Sequence, residues 1–209
     1  MDEETKLFYN LTAGKNAKEW YENYILMPSI EEFVALLPEH PRVLDLGCGG
    51  GYESMRLTKV GARVVGVDYS KECIRIAKEY CPEAQFELMD FRQLDGNKLG
   101  KFDGVFACAS LIHVSREELP GVFEQLWGIL KREGFIIAIL RRGEGFWEGW
   151  PEVDGRKLRR IVYLYTQETL GAAASGFKHV KEGFLAPELI ENGWVSHIYR
   201  RLDNQFDNS

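Results

Sequence analysis

The sequence predicts an α/β fold: a doubly wound, mostly parallel sheet, preceded by helices and finished by an antiparallel strand. Three observations carry that reading. After Pro41, short apolar runs alternate with amphipathic stretches, the pattern of strand–helix–strand units. The first of those runs ends in an acid and three alternate glycines, "VLDLGCGGGYES", Val43 to Ser54. Past Arg141 the alternation stops, and strand-like segments come close together.

The elements follow in order. The segment before Pro41 reads as helical. "NAKEWYENYILM" sets Trp20, Tyr24 and Met27 at helical spacing until Pro28 interrupts. "SIEEFVALLP" restarts with Ser29 as N-cap and Glu32 three residues later. "RVLDLG" is a strand and "YESMRLTKVG" a helix closed by Gly61. "ARVVGVD" is a strand, and "SKECIRIAKEYCP" a helix opened by Ser70 and stopped by Pro82. "AQFELMD" and "KFDGVFACAS" are strands. "SREELPGVFEQLWGILKREG" is a helix in which Pro120 marks an early kink or a first-turn restart. "FIIAIL" is too apolar for a half-exposed strand and belongs in a sheet covered on both faces. A loop rich in Gly and Trp follows, "RGEGFWEGWPEVDG". Then come the strand "RRIVYLYT", the helix "QETLGAAASG" and the strands "FKHVKEGFL" and "WVSHIYRRL", which fit a finishing antiparallel edge. One domain spans 1–209: a helical cap over 1–40, a core over 41–141, and a substrate-side loop with C-terminal strands over 142–209.

Composition narrows the function. The chain has 209 residues, 45% of them hydrophobic, enough for one full core. A net charge of −6 argues against nucleic acid as the main partner, although "GRKLRR", Gly155 to Arg160, is locally basic. "MDEETK" does not open a leader and no apolar run is long enough to cross a bilayer. A soluble, cytoplasmic protein with no membrane partner is expected. Cys48, Cys73, Cys81 and Cys108 form no Cys-x-x-Cys pair and no zinc spacing, which reads as reduced, partly buried thiols. His40, His113, His179 and His197 are scattered, and no metal site is expected.

The glycines ask for a ligand that approaches the backbone closely. A dinucleotide fingerprint counted from Gly47 would need glycine where Tyr52 stands, and the Gly-Lys-Ser/Thr of a phosphate-binding loop is absent. Asp45, just before the turn, would repel a pyrophosphate and suits an ammonium group. Asp68 ends the next strand about 20 residues on, where an acid accepts from ribose hydroxyls. Asp90 and Phe91 end the third strand, a carboxylate and a ring suited to adenine. An amine, a free ribose diol, an adenine and no phosphate together describe S-adenosylmethionine.

On "VLDLGCGGG", "VVGVDYS", "MDFRQL", "FDGVFACASLIHV" and "LWGILKREGFIIAIL", in that order over roughly residues 42 to 140, the chain resembles the class I S-adenosylmethionine-dependent methyltransferases. The resemblance implies a seven-stranded, Rossmann-like sheet. It implies that Asp45 and the turn of Gly47, Cys48, Gly49 and Gly51 line the methionine end. Asp68 would take the ribose hydroxyls with Tyr69 beside the adenine, and Asp90 and Phe91 would hold the adenine. Cys108 and Ala109 would lie near the sulfonium. An N-terminal aromatic, Trp20 or Tyr21, would close over the cofactor.

The expected reaction is methyl transfer to the oxygen, sulfur or carbon of a small-molecule acceptor, leaving S-adenosylhomocysteine. No Asn-Pro-Pro-Tyr-type motif follows the fourth strand, where "ACAS" stands. His113, on the rim after that strand, is a candidate general base or else a structural histidine. Phe146, Trp147, Trp150, Tyr163 and Tyr165 are candidates for an acceptor wall or for pinning their loop. Arg141, Arg142, Arg156, Arg159 and Arg160 are candidates for holding an acidic group or for a solvated face. The rival class is a non-catalytic cofactor sensor or scaffold. Aminopropyl transfer would need extra acids at the amine end, and a nicotinamide enzyme is opposed by Tyr52 and Asp45. The sequence sets no oligomeric state.

Overall fold

A computed structural model of the chain describes residues 3–15 and 17–203. Three short helices lead, α1 (Glu3–Thr12), α2 (Ala17–Glu22) and α3 (Met27–Val34). The alternating core follows as β1 (Arg42–Leu46), α4 (Tyr52–Lys59), β2 (Arg63–Asp68), α5 (Lys71–Tyr80), β3 (Gln85–Leu88), α6 (Gly96–Leu99), β4 (Phe102–Cys108), α7 (Leu119–Ile129) and β5 (Leu130–Arg141). The remainder is β6 (Phe146–Gly149), β7 (Glu152–Val153), β8 (Arg156–Lys157), β9 (Arg160–Tyr163), α8 (Gln167–Ala173), β10 (Phe177–Glu182), α9 (Pro187–Glu191) and β11 (Trp194–Arg201).

Seven strands make one sheet in the order β10-β11-β5-β4-β1-β2-β3. The pairs from β3 across to β5 are parallel, and β11 runs antiparallel between β5 and β10. Alternation along the strands feeds two cores. Leu44, Leu46, Val105, Ala107, Ile136 and Ala138 pack with Val122, Phe123 and Leu126 of α7 on one face. Val43, Val64, Phe106, Ile137 and Ile139 pack with Ile30, Phe33 and Leu57 of α3 and α4 on the other. Both faces are covered, which is why "FIIAIL" is apolar throughout. The chain leaves β1 toward β2 on one side and returns to β4 on the other. A crevice therefore opens beyond the carboxyl ends of β1 and β4, and the glycine turn sits in it.

Four expectations need correction. Pro28 opens α3 rather than interrupting a helix, because a residue without an N–H is tolerated in the first turn. Ser29 is then inside that helix, where its Oγ donates to Phe184 O at 2.6 Å, and Glu32 accepts from Phe184 N at 2.7 Å instead of completing a capping box. The helix before the fifth strand ends at Ile129; Leu130 already pairs with Phe102, and a register shift follows before Gly104 meets Phe135. "RRIVYLYT" does form a strand, but β9 pairs with β6 in a separate two-stranded ribbon rather than at the sheet edge.

Candidate active site

The turn after β1 runs through Gly47, Gly49 and Gly51 at φ of 69°, 51° and 83°. All three lie in the left-handed region that a Cβ disfavours. At Gly47 a Cβ would also stand 2.6 Å from Ser110 Cβ, so the turns after β1 and β4 meet there with no room for a side chain. Cys48 anchors the turn. It is buried, its N–H donates to Val67 O at 3.0 Å, and burial pushes its thiol pKa well up, so it stays protonated and inert.

Three acids stand at the ends of the three neighbouring strands. Asp45 is 2% exposed and accepts from Ser54 Oγ at 2.5 Å. Burial, then the nearby charge of Glu53, pushes its pKa to about 8. Asp68 accepts from Gly49 N at 3.0 Å and Ser70 N at 2.8 Å. Burial outweighs those bonds and raises it to about 6. Asp90 is the more open of the three. Arg92 holds it with Nη2 at 2.7 Å and Nε at 3.0 Å, while Phe91 beside it is buried against the Gly47 side of the turn. Glu53, the further acid at the amine end, is paired with Arg56 at 3.5 Å.

The residues present fit the sulfonium cofactor. Among the described residues no lysine or arginine pairs with Asp45 or Asp68, so two buried carboxylates flank the turn without a counter-cation. A buried carboxylate is stable when it gains charge-assisted partners, which an ammonium and a ribose diol supply. Ser110 Oγ, opposite Gly47, is buried with no hydrogen-bond partner, a further polar atom at the same junction.

Beyond β4, Cys108 is half-buried and Ala109 has φ of 53°, a conformation uncommon for alanine, held by its N–H donating to Ile139 O at 2.9 Å. That kink sends Ser110 under the glycine turn and leads into a single 3₁₀ turn, Leu111–His113.

The closing aromatic is where the reading changes. Trp20 is 50% exposed and lies beside Tyr52, while its carbonyl accepts from Arg56. Its neighbour Tyr21 donates to Gly50 O and stacks on Tyr80, so Tyr21 is the residue of α2 that touches the glycine turn. The crevice itself is covered by α1. Asn10 Oδ1 accepts from Ser70 Oγ at 2.8 Å, and Tyr9 lies edge-on to Tyr69 at 6.5 Å. Neither Tyr9 nor Asn10 belongs to any motif. The available signal was an aromatic pair, Phe8 and Tyr9, in the first amphipathic stretch of a chain whose cofactor pocket needs a cover.

Tyr9 also reaches His113. Its hydroxyl lies 2.7 Å from His113 Nε2, and His113 Nδ1 lies 3.1 Å from Ile161 O. His113 is buried and forms one wall of a cavity of about 240 Å³ with Thr5, Arg92, Glu118, Arg159, Ile161 and Tyr163. Of the aromatics considered for an acceptor wall, Tyr163 lines this cavity, while Phe146, Trp147 and Trp150 are exposed on the ribbon and its following turn. Tyr165 is buried, its hydroxyl donating to Val114 O.

The arginines separate as well. Arg141 lies over the Trp194 ring, Arg142 is 4.0 Å from Glu182, Arg156 is exposed on β8, and Arg159 pairs with Glu148 at 2.5 Å. Arg160 donates to Tyr9 Oη at 2.9 Å. His179 and His197 bond each other at 3.2 Å on the far edge of the sheet, and no cluster of three metal-binding side chains exists among the described residues. No helix of the described residues is long and apolar enough to cross a membrane.

Comparison with known proteins agrees with this geometry. The family profile described as "Methyltransferase domain" matches residues 43–134. YqeM of Bacillus subtilis (strain 168), itself named only as a methyltransferase, is 33% identical over 174 residues, covering 81% of this chain and 67% of that protein. A ubiquinone biosynthesis O-methyltransferase of Xanthomonas axonopodis pv. citri is 32% identical over 97 residues, covering 44% of this chain and 41% of that protein; the chain thus spans less than half its length. The crystal structure of the 1,6-didemethyltoxoflavin-N1-methyltransferase of Burkholderia thailandensis, holding 1,6-didemethyltoxoflavin and S-adenosylhomocysteine, superposes with a TM-score of 0.71 at 20% identity over 96% of this chain and 88% of that one. That likeness is one of fold.

Proposed function

The chain belongs to the class I S-adenosylmethionine-dependent methyltransferases, and we propose that it methylates an oxygen, sulfur or carbon of a small-molecule acceptor bound against His113. The observation that carries the reading is the pair of buried, cation-free carboxylates, Asp45 and Asp68, on either side of a glycine turn. Asp68 would accept from the ribose hydroxyls, and Asp45 would face the ammonium. Phe91 and Tyr69 would border the adenine, with Asp90 beside them through the edge left open by Arg92. The backbone of Gly47, Cys48, Gly49 and Gly51 would line the methionine end. Cys108, Ala109 and Ser110 would border the reacting methyl, and Tyr9 and Tyr21 would be the covering aromatics.

When bound, the cofactor supplies a methyl group already activated by its sulfonium. The chain's task is then to hold an acceptor atom in line and keep water out. α1 excludes water by packing over the crevice. The cavity beside His113 offers a wall of Ile161 and Tyr163 and a rim of Arg92, Arg159 and Glu118, which suits a small acceptor with a polar edge. The relative named as a ubiquinone biosynthesis O-methyltransferase acts, by its name, on an oxygen in the making of a small molecule, which supports that class.

The test is transfer of a radiolabelled methyl group from S-adenosylmethionine to a panel of small phenols, thiols and enolisable ketones. Label in one acceptor class supports the proposal. Tight cofactor binding with label recovered only in protein or nucleic acid substrates would overturn the small-molecule reading.

A further inference from the structure

The contacts around His113 carry a further step, which rests on the acceptor reading above and narrows it. Both ring nitrogens are engaged. Nδ1 faces the Ile161 carbonyl, which can only accept, so Nδ1 carries the proton and Nε2 is the basic atom. Nε2 therefore accepts from the Tyr9 hydroxyl at 2.7 Å. The same hydroxyl oxygen accepts from Arg160 Nη2 at 2.9 Å. A phenol oxygen has one hydrogen and two lone pairs. The hydrogen is given to His113 and one lone pair is taken by Arg160. Among the described residues no second donor meets the Tyr9 oxygen, so its second lone pair is left to an acceptor.

Arg160 is placed to favour charge on that oxygen. Its guanidinium lies over the rings of Phe8 and Tyr9, at 5.1 and 5.5 Å, and its buried Nε has no partner. Among the described residues it makes no ion pair with a carboxylate. Its positive charge is thus directed at the phenol and not neutralised by an acid. The other groups facing Tyr9 are His113, Tyr69, Asp68 and Cys73. Burial raises the Tyr9 pKa and Arg160 opposes that rise.

We propose that Tyr9 relays the proton of a hydroxyl or thiol acceptor to His113, with Arg160 holding the phenol oxygen while charge passes over it. The acceptor's O–H or S–H proton goes to the Tyr9 oxygen as the Tyr9 proton goes to His113 Nε2. The freed electron pair of the acceptor forms the bond to the methyl carbon. The methyl–sulfonium bond breaks, and its electron pair stays on sulfur. His113 ends as imidazolium and releases its extra proton to water once the methylated product has left the cavity that it lines. The positive charge lost at sulfur thus reappears on His113. The relay selects acceptors that arrive protonated, so a carbon nucleophile or an already ionised oxygen gains nothing from it. Tyr9 is the catalytic residue of this step, and Arg160 is a positioning residue.

The experiment compares two probes, phenol and 4-nitrophenol, the second ionised at pH 8. Tyr9→Phe is expected to lower turnover of phenol about 100-fold, the size of a lost general-base contribution, and to lower turnover of 4-nitrophenol by a far smaller factor. Arg160→Met should lie between wild type and Tyr9→Phe, and Arg160→Lys should recover part of the loss. Equal losses for both phenols, or none for either, would overturn the relay. If the wild type methylates neither phenol, the failure belongs to the acceptor reading, and the relay is judged on nitrogen-15 spectra of the His113 ring. Those spectra should show the Nδ1–H tautomer with a bonded Nε2 that changes in Tyr9→Phe. An Nε2–H tautomer in the wild type would sink the relay outright.

Discussion

The two walls of the crevice are built from different kinds of contact. On the proposed cofactor wall each acid is held by partners within about one strand–helix–strand unit: Asp45 by Ser54, Asp68 by the backbone of Gly49 and Ser70, Asp90 by Arg92. On the acceptor wall the partners come from opposite ends of the chain. Tyr9 and His113 are 104 residues apart, and Arg160 and Tyr9 are 151 apart. The first wall needs only β1, β2, β3 and the turns that follow them. The second exists only once α1 and the β6–β9 ribbon have both docked. Changes to the first wall should therefore be felt as lost stability and lost cofactor affinity. Changes to the second should be felt as lost turnover.

The sharpest way to break that contrast is Gly47→Ala. The new Cβ would meet Ser110 Cβ at 2.6 Å and sit at a φ of 69°. Strain and overpacking together should cost about 3 kcal/mol of stability, read in urea unfolding, and abolish cofactor binding. A variant of wild-type stability would mean that the two turns separate easily and the cradle is not built as described. Asp68→Ala should come next. It removes the acceptor for the ribose hydroxyls and weakens cofactor binding by roughly 1–3 kcal/mol while the fold survives. Unchanged affinity by calorimetry would remove Asp68 from the site.

A smaller effect appears on changing pH. Burial raises Asp68 to about 6 and Asp45 to about 8, both from a usual value of 3.8. The free folded protein thus holds protons that the unfolded chain has lost, so its stability should fall as pH rises from near 4 toward 8. Cofactor binding prefers both carboxylates ionised. Affinity should rise with pH through about 6, and binding at pH 7 should release protons, measurable as a dependence of the calorimetric heat on buffer. Proton uptake on binding would contradict the placement of both acids. Smallest is Trp20→Ala, expected within about 0.5 kcal/mol of wild type in cofactor affinity. Tyr21→Phe loses the bond to Gly50 O and should weaken binding by about 1 kcal/mol. A large loss at Trp20 would return it to the pocket.

The same contrast explains what could be read from the sequence. The cofactor wall was legible because its chemistry is packed into short stretches. "VLDLGCGGG" carries the strand, the acid and the turn together, and Asp68 follows at the spacing one strand–helix–strand unit requires. Runs such as "FIIAIL" declared a sheet covered on both faces. The acceptor wall was legible only in pieces. His113 stood out by its position after β4, but its partners Tyr9 and Ile161 lie in segments whose residues say nothing about where they dock. "RRIVYLYT" reads correctly as a strand, yet no periodicity could tell that β9 pairs with β6 rather than with the sheet edge. The sequence offers Trp20 or Tyr21 as the closing aromatic and does not single out Tyr9. The choice turns on which helix crosses the crevice, and that is a matter of tertiary packing.

The ligand of the glycine turn decides the chemistry of the whole crevice, and isothermal titration calorimetry of the wild-type protein with S-adenosylmethionine, S-adenosylhomocysteine and NAD tests it most directly. Saturable binding of both sulfur ligands, with none of NAD, is the predicted result. Failure of both sulfur ligands to bind, or preference for NAD, would contradict the assignment of Asp45, the glycines and Asp68.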